Sequence, residues 1–400
     1  MKSLFESVEL APRDPILGLV EQYNADTRST KVNLGVGVYY DDEGRLPLLD
    51  CVSQAEVARI QAHAARGYLP MEGIPGYNKG AQTLLLGKDS PLLASGRVLT
   101  AQALGGTGAL KIGADFLKQL LPASKVVISD PSWENHRALF ERAGFPVETY
   151  PYYDTTTRGL NFDGMLAALN GLPAQTIVIL HACCHNPTGV DPTFEQWKQI
   201  AEVIKNKNLV PFLDIAYQGF GDGIEEDASV VRLFAQQDIT MLISSSFSKS
   251  FSLYGERVGA LTLITANSEE SGRVLSQLKR VIRTNYSNPP THGGTVVSTV
   301  LNTPELYTLW TNELAAMRER IRNMRIQLVE KLQANGVQQN FDSILTQRGM
   351  FSYSGLTKDQ VDRLREEHGV YAISSGRICV AALNNRNIDY VASAIAKVLA

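Results

Sequence analysis

Five short apolar runs punctuate the middle of the chain, at residues 126–129, 176–180, 210–213, 241–244 and 259–264. Each is bounded by polar or turn-forming residues and is too short for an ordinary helix, which predicts strands buried inside a sheet. Helical stretches separate them, so the pattern is a βαβ series and predicts a mostly parallel sheet. Leu110, Ala114, Leu117 and Leu121 recur at helical spacing, residues 50–66 predict a helix with an alanine-rich face, and Asp14 with Pro15 suits an early helix start. After Pro290 the texture changes. Residues 304–333 predict a long charged helix with Met317, Ile321, Met324 and Leu328 on one stripe. A strand near Met350–Ser354, a helix near Thr357–His368, a strand near Ile378–Leu383 and a last helix ending at Ala400 complete the chain. The expected division is an arm and part of a small domain over residues 1–45, a large domain over 46–310, and the small α+β domain over 311–400.

The polar residues that end these runs carry the candidate chemistry, because ligands gather at the carboxyl ends of parallel strands. After Met241–Ile243, Lys249 lies between Phe247 and Phe251, among Ser244, Ser246, Ser248 and Ser250, with Arg257 eight residues on. A lysine between aromatic rings is expected to be partly desolvated, which disfavours its ammonium form. A neutral amine is what an aldehyde needs for a Schiff base, and the serines and arginine suit a phosphate. These residues point to pyridoxal phosphate. A solvated loop lysine is the competing reading.

Asp214 and Tyr217 close the third run. A carboxylate there is expensive unless paired. A protonated pyridine nitrogen would pair it, and an ordinary cap or salt bridge is the alternative. Asp214 precedes Lys249 by 35 residues, one βαβ repeat, which puts both at one sheet edge on adjacent or near-adjacent strands. Trp133 follows the first run and suits either stacking on a planar ring or a place in the core. His181, Cys183, Cys184 and His185 lack paired C-x2-C spacing, so no metal is expected. Gly105 to Gly108 opens a helix. Gly106 and Gly108 match the start of a dinucleotide pattern, but Lys111 occupies the third glycine position, which argues against a nicotinamide site. Glycines alternate with apolar residues over Lys31–Tyr40, and this reads equally as close backbone approach to a ligand or as packing.

The 400 residues suggest two or more domains, and 44% hydrophobic with 20% charged residues is ordinary for a globular core. A net charge of −3 gives no electrostatic footprint for nucleic acid. Four scattered cysteines form no disulfide framework, the first residues carry no apolar export segment, and no run approaches membrane-spanning length. A cytoplasmic setting is expected.

Taken together, Ser246-Phe247-Ser248-Lys249 with Arg257, Asp214-Ile215-Ala216-Tyr217, His185-Asn186-Pro187-Thr188-Gly189 and Ser375-Gly376-Arg377 resemble the class I pyridoxal-phosphate aminotransferases, in order and over essentially the whole chain. Tyr68 to Gly73, Asp214 to Gly221 and Phe251 to Arg257 look most like the bacterial aromatic-amino-acid (tyrosine) members of the aspartate/aromatic branch. The resemblance implies the α/β fold type I of pyridoxal-phosphate-dependent transferases. It implies transamination of tyrosine, phenylalanine and aspartate, with 2-oxoglutarate and glutamate as the second pair, and a homodimer with shared active sites. By resemblance, Lys249 bonds to the cofactor and then moves the proton, Asp214 pairs the ring nitrogen, and Tyr217 and Asn186 donate to the ring hydroxyl oxygen. Trp133 stacks on the ring, and Gly106, Thr107, Ser246, Ser248 and Arg257 hold the phosphate. Tyr68 reaches that phosphate from the other subunit. Arg377 clamps the substrate α-carboxylate with Asn186 and the Gly37 backbone, and Arg283 of the other subunit receives a second carboxylate. Many relatives place serine where Gly105 stands, a difference of at most one hydrogen bond, ~1 kcal/mol. Cis bonds are expected at Asp130-Pro131 and Asn186-Pro187.

Overall fold

The computed structural model describes residues 3–11 and 16–400. Asp14 and Pro15, the expected helix start, lie outside the described residues, and the first described helix is Leu17–Ala25. The centre is a seven-stranded sheet of β1 (Val98–Leu104), β2 (Val126–Asp130), β3 (Val147–Pro151), β4 (Ile177–His181), β5 (Val210–Ile215), β6 (Met241–Ser246) and β7 (Val258–Ile264). Their spatial order is β1-β7-β6-β5-β4-β2-β3. Only β7 is antiparallel to its neighbours β1 and β6, and the remaining pairs are parallel. The five expected strands are present. β1 and β3 were not expected, because Val98–Leu104 is broken by Thr100 and Gln102, and Val147–Pro151 alternates with exposed polar residues at the sheet edge.

Alternation along each strand sorts side chains to the two faces of the sheet. Val178, Leu180, Leu213, Ile215, Met241 and Ile243 join one buried cluster. Ile177, Ile179, Phe212, Leu242, Leu261 and Leu263 join the other. Helices cover both faces, which is why these strands read as continuous apolar runs. The helix Gly105–Leu120 packs so closely that a Cβ on Gly113 would lie 2.6 Å from the Phe212 ring.

The remaining elements follow expectation with three corrections. The helix expected over residues 50–66 ends at Gln61. His63 takes a left-handed φ of 46°, which turns the chain away. The long helix is Pro304–Ala334, and strands Phe351–Tyr353 and Arg377–Cys379 pair antiparallel. The last strand stops at Cys379, because Val380–Ala382 closes a 3-10 turn whose first N–H donates to Met350 O at 2.8 Å. Arg377 begins that strand rather than preceding it. No helix of the described residues is long and apolar enough to cross a membrane.

Candidate active site

Because β1, β2, β4, β5 and β6 run the same way, their carboxyl ends share one edge of the sheet, and antiparallel β7 starts at that edge. Chain direction therefore delivers Gly106 and Thr107 after β1, Trp133 after β2, Asn186 after β4, Tyr217 after β5, and Ser248 and Lys249 after β6. Arg257 arrives immediately before β7. Register completes the alignment: His181 pairs with Asp214, and Asp214 with Ser244. β5 and β6 are neighbours, so Asp214 and Lys249 come from adjacent strands.

A cavity of about 450 Å³ opens at this edge and is lined by Lys249, Asp214, Tyr217, Trp133, Asn186, Gly106, Thr107, Ser246, Ser248, Arg257 and Gly37. Arg377 stands beside it, buried, donating to Asn186 Oδ1 at 3.1 Å and to Gly35 O at 2.6 Å. The backbone partner is thus Gly35, while Gly37 faces the cavity. The Arg377 guanidinium lies 4.3 Å from the Phe351 ring centre, and its buried Nε has no hydrogen-bond partner. Tyr68 and Arg283 are not brought to this cavity. Tyr68 is 95% exposed, and exposed Arg283 donates to Ser287 Oγ on its own helix end.

Lys249 is half-buried, with Nζ 5.0 Å from the Tyr217 ring centre. Burial lowers its pKa to about 8, with Arg257 and Arg377 adding repulsion and Asp214 opposing them. Burial pushes the Asp214 carboxyl up. The hydrogen bond from His136 Nε2 at 3.0 Å and the charges of His136, His181 and Lys249 outweigh it and hold the carboxyl below its ordinary value. Ser132 Oγ lies 2.9 Å from His136 Nδ1, fixing the ring from its other side. His181 is buried with neither ring nitrogen hydrogen-bonded, and burial drops its pKa to about 3. Burial raises Tyr217 above the ordinary phenol range, so it remains a donor.

Around the phosphate-type residues the backbone is tightly specified. Gly105 has φ +69°, and a Cβ there would meet the Arg257 guanidinium at 2.6 Å. Arg257 is itself left-handed, and its side chain donates to Ser248 Oγ at 3.4 Å and Tyr254 O at 3.0 Å. A Cβ on Gly106 would come within 3.2 Å of Ser246. Both expected X-Pro bonds, Asp130-Pro131 and Asn186-Pro187, are cis.

Two functional neighbours carry no expected role in the sequence. His136 is one turn beyond Trp133, at the start of the helix Glu134–Arg142, and its only signal was that proximity. Tyr254 lines the cavity and accepts from the Tyr39 N–H at 2.9 Å. Donor atoms of His136, His181 and Asp214 lie within 4.8 Å of one another, as do those of Cys183, Cys184 and Asp227. In the first group the carboxylate is the one facing Lys249. In the second it is taken by backbone N–H groups of Gly219, Gly221 and Asp222.

The family of class I and II aminotransferases matches residues 29–395. Aspartate aminotransferase of Pseudomonas aeruginosa is 66% identical over 99% of this chain and 100% of its own length. The aromatic-amino-acid aminotransferase of Escherichia coli is 53% identical over 99% and 100%. The crystal structure of aromatic-amino-acid aminotransferase from Burkholderia pseudomallei, covalently bound to pyridoxal phosphate, is 68% identical and superposes with a TM-score of 0.98, covering 100% of each chain. On the shared edge geometry and these likenesses, the chain belongs to the class I and II aminotransferases.

Proposed function

We propose that this chain is a pyridoxal-phosphate-dependent aromatic-amino-acid aminotransferase, exchanging amino groups between tyrosine, phenylalanine or aspartate and 2-oxoglutarate. The observation that carries this reading is Lys249, an amine held near 8 on the wall of a cavity that also presents the buried carboxylate of Asp214. The residues fit the cofactor. An amine awaits the aldehyde, a carboxylate held anionic awaits the ring nitrogen, and an open glycine turn with Arg257, Ser246, Ser248 and Thr107 suits the phosphate. Bound there, pyridoxal phosphate supplies an aldehyde for the substrate amine and an electron-withdrawing ring that stabilises negative charge at the substrate Cα.

The chain's own groups do the rest. Lys249 Nζ, the amine that would hold the cofactor, would also take the substrate Cα proton and return it, work suited to an amine whose pKa burial lowers to about 8. Asp214 stays anionic because His136 holds it so. Trp133, Tyr217 and Asn186 all line the cavity, where Trp133 would pack against the ring and Tyr217 and Asn186 would offer donors to its hydroxyl. Arg377, anchored to Asn186 and Gly35, retains its unpartnered Nε for the α-carboxylate. Tyr68 and Arg283 lie away from this cavity, which is consistent with a homodimer in which each serves the neighbouring subunit's site. The domain division at residues 45 and 310 and a cytoplasmic setting belong to the same reading.

A second reading, an aspartate aminotransferase with only weak aromatic activity, is favoured by the 66% identity to a relative of that name. Steady-state kcat/KM for phenylalanine against aspartate, with 2-oxoglutarate as acceptor, separates the two. Arg283→Ala should lower kcat/KM for aspartate by roughly 10–100-fold, the loss of one charged hydrogen-bonding group, and phenylalanine far less. Equal losses would refute the role given to Arg283. Failure of tyrosine, phenylalanine and aspartate alike to change the cofactor's absorbance would refute the function.

A further inference from the structure

A second cavity, of about 360 Å³, shares no lining residue with the first. It lies where the long helix Pro304–Ala334, the loop after β5 and the loop before strand Phe351–Tyr353 meet. Arg318, Arg322 and Arg325 follow one another at i, i+4 and i+7 along one helix face, and Arg348 approaches from the loop. Asp222 is the one acidic residue in the lining.

The charges do not balance. Arg348 Nε holds Asp222 at 2.8 Å, and Arg322 reaches the same carboxylate at 3.7 Å. Glu319, outside the cavity, lies 3.2 Å from Arg322 and 3.6 Å from Arg318. Arg325 is 3% exposed and makes no ion pair with any described residue. Its guanidinium donates only to neutral oxygens, at Gly349 O (2.6 Å), Phe351 O (2.7 Å), Ile344 O (3.4 Å) and Ser352 Oγ. Four guanidinium groups thus face the carboxylates of Asp222 and Glu319, with Asp191 a further anion acting on Arg325 and Arg348, and the Arg325 charge sits where a buried unpaired charge is costly. Arg318 donates one N–H to Gly219 O at 3.1 Å, while its Nε, 3.6 Å from Glu319 Oε1, makes an ion pair but no hydrogen bond. Like charges one helical turn apart also repel. An excess of guanidinium groups over carboxylates, with planar forks lining the cavity, defines the occupant that would relieve these costs.

We propose that this cavity binds a small oxyanion, a dicarboxylate or a phosphate, held by Arg318, Arg322 and Arg348 above the buried charge of Arg325. The site does not depend on the transamination reading, and its test is kept separate from the active site by the cofactor's own colour. The cofactor-loaded enzyme is titrated calorimetrically with inorganic phosphate in one arm and succinate in the other, while cofactor absorbance is followed in parallel. The expected result is one binding event per chain that leaves the absorbance unchanged, weakened ~10-fold or more in Arg322→Gln and in Arg318→Gln by loss of a charged donor. Asp222→Asn frees the forks it now occupies and should tighten the same event several-fold, a gain that structural damage does not produce. Arg322 is half-exposed, so its variant keeps the fold, and its transamination rate without added anion stays at the wild-type value. Tighter binding of one anion than the other identifies the chemistry. Absence of an absorbance-silent event with both anions, its persistence in both arginine variants, or weaker binding in Asp222→Asn overturns the proposal.

Discussion

Asp214 and Asp227 are buried to the same degree, at 6% and 5% exposure, yet they titrate in opposite directions. Burial raises both. Asp214 is overruled by the His136 hydrogen bond and by the charges of His136, His181 and Lys249, and ends below its ordinary value. Asp227 accepts three backbone N–H groups, from Gly219, Gly221 and Asp222, at 2.7–2.9 Å, and still ends above it, with the Asp222 charge adding to burial. At Asp227 amide donors oppose burial without overcoming it, whereas at Asp214 neighbours that can carry positive charge do overcome it. The first arrangement is chemistry and the second is architecture.

The contrast can be broken most severely at Lys249. Lys249→Ala should retain cofactor without covalent attachment and lose more than ~10⁴-fold in kcat, because both the linkage and the proton carrier are gone. Residual turnover within tenfold of wild type would remove Lys249 from the chemistry. Next comes Asp214→Asn, which keeps the shape and removes the charge. The expected fall in kcat/KM is roughly 10²–10⁴-fold, the worth of about 3–5 kcal/mol for breaking a buried charge pair. Without Asp214 opposing the effect of burial, Lys249 in the cofactor-free protein should titrate below about 8. A titration that moves upward would contradict the pairing.

His136→Phe sharpens the comparison by giving Asp214 an environment closer to that of Asp227. Burial is then less opposed, the carboxyl rises, and the acid limb of the kcat/KM profile should move to higher pH, with a loss of ~10-fold at neutral pH. The stability profile should respond too. A carboxyl held below its unfolded value contributes stability above that value and loses it as pH falls through the native one, and the substitution should weaken this contribution. An unchanged acid limb would show that His136 does not set the charge of Asp214. The smallest effect on activity is expected at Asp227→Asn, with kcat within about threefold of wild type, because none of its hydrogen-bond partners lines the active-site cavity. Its cost is to the fold, about 1–3 kcal/mol from acceptors lost to the loop, read as a lower urea midpoint. The raised carboxyl favours the fold at low pH, so wild-type stability declines as pH rises from the unfolded value near 3.8 through the native one, and the variant should lack that decline. A threefold limit exceeded in kcat would move Asp227 into the site.

How far the site could be read beforehand depended on whether a residue's neighbours lie close along the chain. Lys249, between Phe247 and Phe251, carries its desolvation in its own segment, and the cavity lined by Asp214, Trp133 and Asn186 follows from strand ends alone. His136 did not stand out, because its partner Asp214 is 78 residues away and nothing local distinguishes a histidine in a first helical turn. β1 was missed for a related reason. Polar Thr100 and Gln102 are buried only because Thr262, Gln82 and the Pro290 carbonyl supply their hydrogen bonds across the fold.

The amino-acid sequence by itself determined the alternation of strand and helix, the position of each reactive residue at a strand end, and hence the family. Those properties rest on short-range periodicity and on the covalent order of the chain. Tertiary structure alone decided that β7 runs against its neighbours and brings Arg257 back to the edge beside Gly105. It also decided that His136 governs the charge of Asp214, and that four arginines converge at the second cavity. Each of these is set by the low-dielectric surroundings that distant segments create together, and no single segment carries that information.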